Sequence, residues 1–66
     1  MGVEIHPTAI VDSGAKLGVD VSVGPYAVIE NNVEIGDGCR IDSHAFVAWG
    51  TRLGARCHVF PYGVVG

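Results

Sequence analysis

The 66-residue sequence predicts an all-β solenoid in which short parallel strands wind around a triangular core. Three observations lead there. Every sixth residue from Ile5 to Val65 is Ile, Leu or Val, eleven in succession. The residue two positions before each of these is small or modest in volume, running Val3, Ala9, Ala15, Val21, Ala27, Val33, Cys39, Ala45, Thr51, Cys57, Gly63. Gly and Pro interrupt the chain too often for helices, and no 3.6-residue period is present.

Strand geometry gives the two columns their meaning. Alternate side chains of a strand point to opposite faces, so Ala9-Ile10-Val11-Asp12 reads in, out, in, out. The remaining pair, Ser13-Gly14, turns the corner into Ala15-Lys16-Leu17-Gly18. Gly14, Asn32, Gly38 and Gly50 hold second corner positions, where a positive φ is expected. Pro7, Pro25 and Pro61 hold first corner positions, where no ladder N–H is lost.

The outward residues set the number of sides per turn. Gly18, Gly36 and Gly54 recur every eighteen residues, as do Ile10, Val28, Phe46 and Val64. Pro7 and Pro25 show the same spacing, and Pro61 falls on the same series. Three six-residue sides therefore make one coil. The first coil, 5–22, carries the inward aliphatics Ile5, Val11 and Leu17. The second, 23–40, carries Val23, Ile29 and Ile35, and the third, 41–58, carries Ile41, Val47 and Leu53. A partial fourth, 59–66, carries Val59 and Val65. The whole stretch 1–66 reads as a single domain, with no linker and no composition shift.

Composition excludes several functions. Glycine supplies 10 positions and charged residues only 17%, with a net charge of −3. Four Lys+Arg cannot form the basic face that nucleic acid requires. No apolar run approaches the ~18–20 residues of a membrane span. The N-terminus lacks the basic and apolar regions of a signal peptide, and His6 stands where a myristoylation signal wants Ser or Thr. A cytoplasmic chain with reduced thiols is the expectation. A chain this short buries too little surface for comfortable stability alone, which points to oligomerisation.

The pattern of an aliphatic residue, a frequent Gly and a small residue at fixed places in each hexapeptide resembles the hexapeptide-repeat left-handed parallel β-helix. The left hand is what the resemblance implies; it runs against the usual right-handed crossover. Within that group, Ile5-His6-Pro7-Thr8-Ala9-Ile10-Val11 resembles the start of the UDP-N-acetylglucosamine O-acyltransferases of lipid A synthesis. Val23-Gly24-Pro25-Tyr26, Val33-Glu34-Ile35-Gly36, Ser43-His44 and Gly63-Val64-Val65-Gly66 continue the likeness in order. It implies an acyl group delivered on acyl carrier protein, a UDP-sugar acceptor, and a general-base histidine in a cleft between subunits of a homotrimer. That histidine belongs to a later part of the helix than this stretch, and none of His6, His44 and His58 falls where it would. No catalytic, cofactor or metal residue is therefore assigned, and the chain alone is expected to be inactive.

The outward columns offer one candidate surface. Ile10, Val28, Phe46 and Val64 make an apolar strip, which reads as a contact face packing around a threefold axis. Lys16, Glu34 and Arg52 read as an exposed ladder of alternating charge, and Ser22, Arg40 and His58 as a polar column. Cys39 and Cys57, eighteen apart, read as two stacked small core residues. Two classes of function are left open. One is the N-terminal scaffold of an acyl-ACP-dependent UDP-GlcNAc 3-O-acyltransferase, or of another hexapeptide acyl- or acetyltransferase. The other is a non-catalytic, self-associating β-helix. The stop at Gly66, partway round a coil and uncapped, is expected to reflect truncation of a longer chain.

Overall fold

A computed structural model describes residues 2–66 and contains no helix among them. Eleven two-residue strands follow one another at six-residue intervals: β1 (Glu4–Ile5), β2 (Ile10–Val11), β3 (Lys16–Leu17), β4 (Ser22–Val23), β5 (Val28–Ile29) and β6 (Glu34–Ile35). They continue with β7 (Arg40–Ile41), β8 (Phe46–Val47), β9 (Arg52–Leu53), β10 (His58–Val59) and β11 (Val64–Val65). Each pairs outward residue first, inward residue second, as the two-residue alternation requires.

The strands assemble into three parallel sheets, ordered β1-β4-β7-β10, β2-β5-β8-β11 and β3-β6-β9. Every pairing joins residues eighteen apart, such as Ile10↔Val28 and Leu17↔Ile35. The fold is thus a three-sided solenoid of a little over three turns, consistent with a left-handed parallel β-helix. Register cannot slip here, because a one-residue shift would turn the aliphatic column outward.

The core is the axis of the prism. Val21, Val23, Ala27, Ile29, Val33, Ile35, Cys39, Ile41, Ala45 and Val47, from the middle of the stack, are buried, as is Val59 nearer its end. Equivalent residues at the ends are less covered: Ile5 is 44% exposed and Leu53 is only half-buried. An inward side chain needs a coil above and below it, and end coils have one neighbour. Both cysteines are free thiols, Cys39 buried and Cys57 half-buried. Cys39 Sγ donates to the Gly54 carbonyl at 2.9 Å.

Corners differ from expectation in one respect. Asn32, Gly38 and Gly50 have φ values of 59°, 72° and 81°, the left-handed conformation expected of them. Gly14 does not adopt it, whereas Asp20, Tyr26, His44, Arg56 and Tyr62 do, at 58–60°. Such a conformation strains any residue with a Cβ. What offsets the strain is a bond to the preceding coil: the N–H of His44 donates to Pro25 O, that of Arg56 to Asp37 O, and that of Tyr62 to Ser43 O. Strand amides donate forward along the stack, as Ile10 N–H does to Ala27 O, while these corner amides donate backward. Gly14 N–H instead donates to Asp12 Oδ1 at 2.8 Å, a local Asx turn that needs no positive φ.

Candidate interaction interface

The four residues of the predicted strip are brought together. Ile10↔Val28↔Phe46↔Val64 is a continuous ladder of paired outward residues on the β2-β5-β8-β11 sheet. Ile10 is 65% exposed and Val64 76% exposed, while Val28 and Phe46 are half-buried by their neighbours in the column. A continuous apolar face on a small protein leaves area in water that a partner would remove. Toward the corner after this face, Ile10, Val28, Asp12, Glu30 and Trp49 border a groove of about 350 Å³. The corner before it carries Tyr26, His44 and Tyr62, with ring centroids 5.2 and 4.9 Å apart and planes inclined by 25° and 14°.

The other faces are polar. On the β3-β6-β9 sheet, Lys16, Glu34 and Arg52 stand in register, and Arg52 Nε lies 3.5 Å from Glu34 Oε1. On the β1-β4-β7-β10 sheet the structure gathers a cluster the sequence columns did not predict. Asp42 Oδ1 accepts from Arg40 Nε at 3.0 Å, and Asp42 Oδ2 accepts from His58 Nε2 at 2.7 Å. His58 also stacks on Phe60 at 4.2 Å. Because a carboxylate can only accept, Nε2 carries the proton in that bond. The His58 hydrogen bond is the largest influence on Asp42, and with Arg40 it outweighs partial burial and holds the carboxyl below its ordinary value. The column rule pairs residues eighteen apart, but Asp42 and His58 are sixteen apart. A diagonal between Asp42, after β7, and His58 on β10 was the signal that could have found them.

The remaining histidines are also engaged. The Thr8 amide donates to His6 Nδ1 at 3.2 Å, and Thr8 Oγ1 lies 2.8 Å from the same nitrogen. His44 is sandwiched between two tyrosines. No group of three or more His, Cys, Asp or Glu among the described residues could hold a metal ion. No helix of the described residues is long and apolar enough to cross a membrane.

Comparison with known proteins adds to this geometry. The family described as "Bacterial transferase hexapeptide (six repeats)" matches residues 14–48, just over half of the chain. Among solved structures, an Arabidopsis UDP-N-acetylglucosamine acyltransferase is 42% identical over 94% of this chain and 22% of its own, with a TM-score of 0.92. A UDP-N-acetylglucosamine acyltransferase from Campylobacter jejuni is 36% identical over 96% of this chain and 25% of its own, with a TM-score of 0.93. This chain thus spans about a fifth to a quarter of the length of those proteins. None of the curated proteins matches it.

Proposed function

Because this chain belongs to the bacterial transferase hexapeptide family, we propose that it is the N-terminal scaffold portion of a UDP-N-acetylglucosamine 3-O-acyltransferase of lipid A synthesis. One observation carries the reading: 42% identity and a TM-score of 0.92 over nearly the whole chain with a UDP-N-acetylglucosamine acyltransferase. The scaffold contributes a stack of coils and, through Ile10, Val28, Phe46 and Val64, contacts between three copies. Its acyl group arrives on acyl carrier protein and its acceptor is a UDP-sugar, in the cytoplasm.

In this reading the chain is inactive alone. General-base acyl transfer needs an imidazole free to take the acceptor's proton, beside donors for the oxyanion. The family's general base belongs to a later part of the helix, and none of His6, His44 and His58 stands where it would. A chimera tests the assignment. Residues 2–66 replace the matching coils of the Campylobacter jejuni protein, and acyl transfer to UDP-N-acetylglucosamine is assayed. The expected result is activity within about tenfold of the parent, a difference of ~1.4 kcal/mol in the barrier. A folded chimera without activity would sink the assignment, as would acyl transfer by the isolated chain.

A further inference from the structure

Two surfaces flank the apolar face, one on each of its corners. The first is the aromatic corner of Tyr26, His44 and Tyr62, all three in the left-handed conformation. Their faces are stacked on one another, so ring edges, with phenol hydroxyls and imidazole nitrogens, form the exposed border. The second is the groove floored by Ile10 and Val28, rimmed by Asp12 and Glu30 and walled by exposed Trp49. We infer that the aromatic corner of one copy of this chain seats in the Asp12–Glu30–Trp49 groove of the next. The inference rests on the self-association proposed above and names the two surfaces that meet.

Three arguments support the pairing. The chemistry is complementary: the corner brings O–H donors and flat apolar area, and the groove brings carboxylate acceptors and an apolar floor. Both carboxylates are already oriented, because Asp12 Oδ1 takes the Gly14 amide at 2.8 Å and Glu30 Oε1 the Trp49 amide at 2.9 Å. Each keeps a second oxygen for a donor. The levels also correspond, since Tyr26 and Glu30 flank β5 and His44 and Trp49 flank β8, so parallel copies at one height would bring corner and groove together at these two coils. Symmetry supplies the third argument. An apolar face packed on itself is isologous and stops at two copies, whereas a closed ring of three needs two different patches. Corner and groove lie on opposite flanks of one prism face, as such a ring requires.

Sedimentation equilibrium of the 66-residue chain tests this, with circular dichroism as the check on folding. The corner variant is Tyr26→Glu/Tyr62→Glu and the groove variant is Trp49→Glu, all at exposed positions. Each is expected to associate at least about thirtyfold more weakly than wild type, the scale of a hot-spot residue. A mixture of the two should recover pairs, because the corner variant keeps its groove and the groove variant keeps its corner. Should either lose its β signal, Tyr26→Ser/Tyr62→Ser and Trp49→Ser replace them. A corner variant that associates like wild type while Phe46→Glu does not would overturn the pairing and leave self-association standing. A mixture that pairs no better than its components overturns it equally. If wild type is monomeric, or Phe46→Glu assembles normally, both readings fall.

Discussion

Asp42 shows how much one side chain can do on the surface of this fold. It joins Arg40 beside it to His58 on the adjacent strand of the next coil, at 3.0 and 2.7 Å. Its folded carboxyl titrates below its ordinary value. A depressed carboxyl stabilises the fold above the unfolded value and loses that contribution as pH falls through the folded one. The stabilisation is therefore present at neutral pH and disappears in the acid range, below about pH 4. In His58→Ala the Asp42 titration, followed by carbon NMR of the carboxyl, should move upward toward the ordinary value. An unmoved titration would show that His58 is not the cause. Thr51 makes the opposite case. Its hydroxyl is buried without a hydrogen-bond partner among the described residues, and such a group costs about 1–3 kcal/mol. Thr51→Val keeps the shape and removes the hydroxyl, so thermal unfolding should shift upward by roughly 4–8 °C per kcal/mol gained in a chain this size.

At the scale of the element, two-residue strands could not hold a fold by their own propensity. They hold because each is clamped between coils whose backbones approach closely, and the glycine column makes that approach possible. A Cβ at Gly36 would lie 2.7 Å from the Gly54 carbonyl carbon and 2.8 Å from Ala55 N, both backbone atoms that cannot swing aside. At Gly54 an added Cβ meets nothing within 4 Å. Gly36→Ala should cost about 1–3 kcal/mol, as forced overpacking does. Gly54→Ala should be close to neutral. Urea unfolding of the two variants measures the difference, and equal losses would refute the packing account.

For the whole molecule, the question is what completes a stack only 23 × 21 × 21 Å in extent, with its best-buried residues running only from Val21 to Val47. The apolar column on one side is partly in water, and removing it from water would add stability the short core lacks. Phe46 sits at the centre of that column, between Val28 and Val64. A carboxylate there would be desolvated in any contact, so Phe46→Glu should abolish association in sedimentation experiments and lower the unfolding midpoint at a given concentration. Unchanged association would remove this face from the interface.

Fold and site were legible in the sequence to different degrees, and the reason is periodicity. Ile5 to Val65 at every sixth place, and Ile10, Val28, Phe46 and Val64 at every eighteenth, are set along a single strand direction. A repeating chain turns sequence distance directly into position, so sides, coils, core and apolar face follow from counting. Whatever depends on contact between columns does not follow. The sixteen-residue diagonal from Asp42 to His58, the stacking of His44 between Tyr26 and Tyr62, and the orphaned hydroxyl of Thr51 required side chains placed in space. The corners show the same division. Composition pointed to Gly14 for the left-handed conformation, yet bonds to the coil before it gave that conformation to Tyr26's column instead, at His44 and Tyr62. Local propensity by itself determined where the chain turns; the energy of tertiary hydrogen bonds decided how.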